Sequence, residues 1–439
     1  MRYICLLLVC LLGGFTLKAY DFSQENLYFT VTSAENLTCA VDRGENVYSG
    51  EIVIPATVVY KNKQLRVTSI TNSAFEGSFI TSIRLSDNMT HVERYAFNNC
   101  NALVEVVIPP SINKIGEGAF SGCQSLKYLI MEDGESELEF DTYCHDPFFA
   151  NSPLEELYIG RDIEHFITKY SVFGNLSNLK KVKIGKYVTT IASYFFANAK
   201  ILDCISIPAN VKTIKEAAFN SCFGLKRIEF CDGEEPIKMY QSTIGSPEYS
   251  GGTVNYSIFS QSPVEEVYIG RNFSENSYYY YPQDITFEFL PITKVTIGKY
   301  VTKLTSLNGC RDLESIYIPS NVKSIESFSG CKGLRTVVVN NITPPSGNSF
   351  AEETYVHGTL YVPAEGIPTY SATNPWSCFW AIEDISFAGI DNITSDSIST
   401  NSVYSINGVL IKRDCSKDEI KNLPQGIYIW RGQKIFNNR

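Results

Sequence analysis

Residues 93–108 read ERYAFNNCNALVEVVI, and residues 116–131 read GEGAFSGCQSLKYLIM. In both, Ala-Phe is followed three residues later by a cysteine. A leucine then opens an apolar, strand-like run, and the whole arrangement returns after 23 positions. The period is general. Units open at Ile80, Leu103, Leu126, Leu154, Leu179, Leu202, Leu225, Val264, Ile292, Leu313 and Leu334, several 23 residues apart and two 21 apart. A period in the twenties opening with L-x-x-I-x-I is the mark of a leucine-rich solenoid, in which each unit is one coil.

The pattern within a unit predicts its burial. In LVEVVI, alternation along a strand turns Leu103, Val106 and Ile108 inward and Glu105 and Val107 outward. Pro109, or Gly160 in another coil, ends the strand, because proline cannot donate to a ladder and glycine permits the turn. The return half, SINKIGEGAFSGC, brings Ile112, Ile115, Ala119, Phe120 and Cys123 back to the interior. One coil cannot bury these residues alone. Stacking roughly a dozen coils about 4.8 Å apart does so, giving a rod about 58 Å long.

Cys100, Cys123, Cys222, Cys310 and Cys331 hold one place in their coils, while Ser78, Leu176 and Ala199 hold it in others. A position that accepts all four residue types calls for a small or apolar filler, so a buried thiol is favoured over a disulfide. Metal ligation is disfavoured, since there is no C-x-x-C pair and the four histidines are scattered.

The chain has 439 residues, 44% apolar and 19% charged, with a net charge of −10. An acidic chain without clustered Lys and Arg argues against a nucleic-acid or anionic-membrane partner. Residues 1–19 read as a secretory signal: Arg2, then the 14-residue apolar run 4–17, then Leu17-Lys18-Ala19 with cleavage expected near Ala19. That run is too short to span a bilayer, and no other transmembrane segment is expected. Lipid attachment at Cys10 competes, but Val9 stands where a lipoprotein signal wants a small residue. Localisation is therefore expected to be secreted or at the outer cell surface.

The expected organisation is a signal peptide at 1–19, an N-terminal β cap at 20–64, a repeat domain at 65–388, a Ser/Thr-rich linker at 389–402 and a C-terminal β segment at 403–439. In the last, Asn407-Gly408 is a hairpin signal. Three stretches lengthen return halves: 132–153, 231–263 and 271–291. Such extensions fall on one edge of a repeat array, where they either bind or merely pack.

The unit LDCISIPANVKTIKEAAFNSC (202–222) resembles the BspA-like leucine-rich repeat of surface and secreted proteins common in Bacteroides and related bacteria. The similarity covers about residues 65–388, including a closing coil at 360–385 and a hairpin-like opening at 44–70. It implies a leucine-rich repeat solenoid, α/β in type, built mostly of short parallel β-strands with loops and short helical turns. It also implies attachment to host or matrix proteins, or to other bacteria. Residues 403–435 are similar to the short C-terminal β segments of Bacteroidetes exported proteins, some of which act in sorting.

Catalytic motifs are missing: there is no H-E-x-x-H, no G-x-S-x-G and no P-loop, so the chain reads as a non-enzyme without a cofactor. Gly116-x-Gly118-x-x-Ser121 imitates a dinucleotide fingerprint but coincides with a repeat turn. The acidic run Glu132, Asp133, Glu135, Glu137, Glu139 and Asp141 lacks EF-hand order, and Cys144-His145 reads as a coincidental loop pair. ENLYF (25–29) resembles a protease tag, but Thr30 follows, and it reads as native sequence.

Binding chemistry is better represented. Tyr128, Tyr158, Tyr268 and Tyr317 are expected on outward ladder positions, among Lys181, Lys183, Arg227, Glu229 and Lys294. Tyrosine supplies broad contact at low entropic cost, which suits protein or carbohydrate recognition. It also simply favours strands. Tyr278, Tyr279, Tyr280 and Tyr281 cannot all face inward on a strand, so this run within an extension is the sharper candidate. The two partner classes are a host or matrix protein and a surface glycan.

Overall fold

Fourteen short strands lie side by side along one face in three consecutive parallel segments of six, four and four. The computed structural model describes residues 20–45, 47–141, 148–149, 151–163, 173, 176–240, 242–244, 254–256, 258–274, 287–347 and 349–388, with the C-terminal strands 403–405, 410–412, 426–430 and 433–437. It is a leucine-rich repeat solenoid. The first segment runs from Ser49–Val53 through Glu105–Ile108, Tyr128–Met131 and Glu156–Arg161 to Lys181–Tyr187.

Register shows why the apolar spacing produces this face. Val106, Leu129, Leu157 and Val182 align across neighbouring strands, as do Ile108, Met131, Ile159 and Ile184, and these rows point inward. A one-residue slip in any strand would turn its whole apolar set to water, so the alternation holds the register. Leu103, Val106, Ile108, Ile112, Ile115, Ala119, Phe120 and Cys123 are all fully buried, and Glu105 is exposed.

A second ladder of short strands follows most of the main strands, as at His91–Val92, Lys114–Ile115 and Glu139–Phe140. The third side of each coil carries the phenylalanines. Rings of Phe75, Phe97, Phe120 and Phe149 stack 5.1, 5.0 and 5.4 Å apart, nearly parallel. Phe196, Phe219, Phe259 and Phe287 repeat the stack at 5.3, 5.5 and 5.9 Å. Coils touch here through backbone as well, for Phe97 N donates to Ala119 O and Phe196 N to Ala218 O, both at 2.8 Å.

This side is no regular strand because left-handed residues flank each ring two positions away: Tyr95 and Asn99 around Phe97, Gly118 and Gly122 around Phe120, Ala217 and Ser221 around Phe219. The alternation of hands keeps the chain extended enough to bond its neighbours while it bends around the ring. Among the described residues, regular α-helix occurs at Glu352–His357 and Ile367–Ala372, in the last coils. Elsewhere the described return halves combine the short second ladder with hydrogen-bonded turns.

Both ends of the core are covered by aromatic residues. At the first, Tyr48 packs 4.7 Å from Phe75, and Phe22 stacks on Tyr60 at 4.4 Å, the strands of these two each pairing antiparallel with the strand that follows it. At the last, Trp376 lies 5.4 Å from Phe350 and its indole donates to Pro345 O at 3.0 Å. Four C-terminal strands form an antiparallel sheet of their own, with Tyr404 opposite Ile429 and Tyr428 opposite Ile435.

Candidate functional site on the outward ladder

Two outward rows cross the first segment. Glu105, Tyr128, Glu156 and Lys181 form one, and Val107, Ile130, Tyr158 and Lys183 the other. All of these except Val107 line a shallow depression of about 320 Å³. Tyr128 is exposed, while Ile130 and Tyr158 are half-buried. The structure thus brings two of the sequence-expected tyrosines together on adjacent strands. Tyr268 and Tyr317, both half-buried, stand on the second and third segments. Tyr278–Tyr281 lie outside the described residues, as do Cys144 and His145.

The charges around the depression are arranged in pairs. Glu155 bridges Lys127 at 2.9 Å and Lys180 at 2.7 Å, and these two ammonium groups hold its carboxyl below the usual range. Glu156 meets Lys181 at 3.2 Å. Lys183 lies over the Tyr158 ring, 5.4 Å from its centre. Such exposed pairs contribute little stability and chiefly set the surface pattern.

Tyr158 is only partly available as a contact. Its hydroxyl donates to Asp133 at 2.6 Å, and that bond to a carboxylate pushes the phenol up to about 12. Tyr268 makes the same bond to Asp232 at 2.8 Å, and burial, then that bond, raises its phenol too. Glycine makes room for the pair. A Cβ on Gly185 would lie 2.6 Å from Asp133 Oδ1, and one on Gly298 would lie 2.4 Å from Asp232 Oδ1.

Beneath each tyrosine the next residues anchor the coils. Arg161 is fully buried and donates to Pro109 O and Pro110 O, both at 3.1 Å, reaching back two coils. Arg271 repeats this with Pro208 O, Ala209 O and Val211 O at 3.0, 2.9 and 2.7 Å. Burial lowers both guanidinium pKa values, and carbonyl dipoles take the place of a counter-ion. Asp162 accepts from Thr189 N and Thr190 N at 2.8 and 2.9 Å, and Asn272 accepts from Thr302 N and Lys303 N at 2.9 and 3.0 Å.

Sequence reasoning passed over these residues. The signal was present as the twice-written Y-I-G-R, at 158–161 and 268–271. It was masked because arginine on a repeat strand reads as a solvated charge.

The cysteine position also carries more than a filler. Sγ of Cys100, Cys123, Cys222, Cys310 and Cys331 donates at 3.0–3.2 Å to a carbonyl of the preceding coil: Phe75, Phe97, Phe196, Phe287 and Leu307 respectively. Ser152 and Ser262 supply the same bond to Phe120 O and Phe219 O at 2.9 and 2.5 Å. Burial pushes the thiols of Cys123, Cys222 and Cys331 up to about 12. The nine described cysteines are all free.

The acidic run is dispersed over separate partners: Asp133 to Tyr158, Glu139 to Lys114 at 2.9 Å, and Asp141 to Arg94 at 2.7 Å. Among the described residues no three His, Cys, Asp or Glu side chains gather as a metal site. No described helix is long and apolar enough to cross a membrane.

With this geometry in place, comparison with known proteins decides the family. The family described as BspA type leucine rich repeat region matches in six copies, over residues 58–146, 142–284 and 248–357. The chain belongs to this family. Among solved structures, it is similar to a leucine-rich repeat protein from Bacteroides ovatus, with 20% identity over 79% of this chain and 95% of that one and a TM-score of 0.40. It is also similar to a leucine rich cell surface protein from Faecalibacterium prausnitzii, with 20% identity over 83% and 94% of the two chains and a TM-score of 0.39. No curated protein matches the chain.

Proposed function

We propose that this BspA-type repeat protein is exported and works without catalysis at the cell surface or in the medium, binding host or matrix proteins, or other bacteria. The observation that carries this reading is the depression between Glu105, Tyr128, Ile130, Tyr158 and Lys183, set on strands whose inward side is locked in the core. A surface held rigid before contact loses little entropy on binding, and aromatic residues beside paired charges suit protein recognition. Family membership supports protein binding in general.

The proposed organisation is a signal peptide at 1–19, a cap at 20–64, the repeat domain at 65–388, a linker at 389–402 and a terminal β segment at 403–439 that either serves sorting or packs as a small domain. The test immobilises residues 20–439 and measures capture of purified extracellular-matrix proteins against binding on a glycan array. Matrix binding that falls in Tyr128→Arg is the expected result. Glycan binding without protein binding overturns it in favour of surface carbohydrate capture. Replacing Tyr278–Tyr281 with serine in the same assays tests the other tyrosine patch.

A further inference from the structure

The chain writes one four-coil block twice, with coils opening at Leu103, Leu126, Leu154 and Leu179 and again at Leu202, Leu225, Val264 and Ile292. Both copies keep the anchoring set: the buried arginine, the Tyr–Asp bond and the Asp or Asn that holds the following coil. The outward rows differ. Where the first copy carries Tyr128, Ile130 and Lys183, the second carries Arg227, Glu229 and Thr296. One scaffold therefore presents two different faces, and the second copy shows which outward residues the scaffold tolerates.

The first face has a polarity. Glu156 and Lys181 neutralise each other, which leaves Glu105 at one end, without an ion-pair partner among the described residues. At the other end Lys183 covers the Tyr158 ring and meets no carboxylate among the described residues. Between them lie the Tyr128 ring and Ile130. Strands stand about 4.8 Å apart and Lys183 sits one outward row, two residues, further along than Glu105, so the two ends, three strands apart, are separated by about 16 Å. An extended peptide advances about 3.4 Å per residue and sends alternate side chains to one side, so residues i and i+4 span about 14 Å, from which long charged side chains reach both ends, with i+2 over the middle.

We propose that the depression binds an extended peptide segment of a protein partner, with oppositely charged side chains at i and i+4 and an apolar or aromatic one at i+2. This rests on the protein-binding reading above and names its substrate class. The basic side chain lies over Glu105, the apolar one against Tyr128 and Ile130, and the acidic one over Lys183. Both chain senses meet these charges, so Lys-Ser-Leu-Ser-Glu and Glu-Ser-Leu-Ser-Lys both fit.

The test uses residues 20–439 and ten-residue fluorescent peptides containing either sequence, with Glu-Ser-Leu-Ser-Glu and Lys-Ser-Leu-Ser-Lys as comparisons, read by polarisation. The two oppositely charged peptides bind more tightly than either comparison. In the double variant Tyr128→Arg/Ile130→Glu their affinity falls on the order of tenfold or more, with an unchanged melting temperature, because the second block already folds with Arg227 and Glu229 at these places. Glu105→Lys switches the preference to Glu-Ser-Leu-Ser-Glu. Equal binding of all four peptides, or an unchanged preference in Glu105→Lys, overturns the inference. If no peptide binds while the double variant still loses matrix-protein capture, this inference fails and the broader reading stands. If capture is also unchanged, both fail.

Discussion

The cysteine that holds one place in five of the coils donates a hydrogen bond as well as filling space. Cys123 Sγ meets the Phe97 carbonyl at 3.1 Å in the buried core, where that carbonyl also accepts from Cys100 N at 3.2 Å. Cys123→Ser keeps a donor, as Ser152 and Ser262 do in sister coils. Cys123→Val keeps an apolar side chain and loses the bond while the Phe97 carbonyl retains Cys100 N, and is expected to cost about 0.5–1.5 kcal/mol in denaturant unfolding, more than the serine variant. Equal losses in the two variants would return the position to simple packing. The sequence showed where the thiol sits, since its period coincides with that of the phenylalanine. It could not show the bond, because Leu176 and Ala199 fill the same place with no donor at all.

Strands and turns carry the next level. Tyr158 and Asp133 sit on successive coils, and their bond ties one outward strand to the turn that ends the previous one. An unperturbed tyrosine titrates near 10, and Tyr158 does so at about 12. The folded value lies above the unfolded one, so the contribution of this bond is fully present below pH about 10 and is lost as pH rises through about 12. An ultraviolet titration of phenolate in the native protein should show one fewer late-titrating tyrosine in Tyr158→Phe. If the lost amplitude lies near pH 10 instead, the hydroxyl does not bind Asp133. At this scale the alternation of apolar residues made the strands legible, including which of Val106, Val107 and Ile108 turn outward. The return halves were less so, because their left-handed residues include Tyr95 and Ala217, types that rarely advertise positive φ.

Across the whole molecule the coils share one hydrophobic interior, from the Tyr48 contact with Phe75 at one end to the Trp376 contact with Phe350 at the other. Each coil buries its apolar face only against its neighbours, so protection of the interior is a property of the stack. Thiol chemistry reads this directly, because the thiolate is the reactive species and burial suppresses it. In native protein at mildly alkaline pH, exposed Cys378 should react with an alkylating reagent, and exposed Cys204, whose thiol is pushed up by partial desolvation, more slowly, as mapped by peptide mass. Cys100, Cys123, Cys222, Cys310 and Cys331 should stay unmodified until denaturant opens the array, and then become reactive over one transition. Reaction of any of the five in the native state would contradict the continuous core.

The repeat period, the inward residues and the strand alternation were set by the sequence alone, because burial of a regularly spaced apolar set has one economical solution, a stack of coils. Which outward residues become neighbours was decided only by the stacking. Tyr128 and Tyr158 are 30 positions apart in the chain, and only parallel register lays them on adjacent strands beside Lys183, which comes from a third. The buried arginines were likewise decided there, since a carbonyl two coils away becomes a partner only once the coils between them are packed.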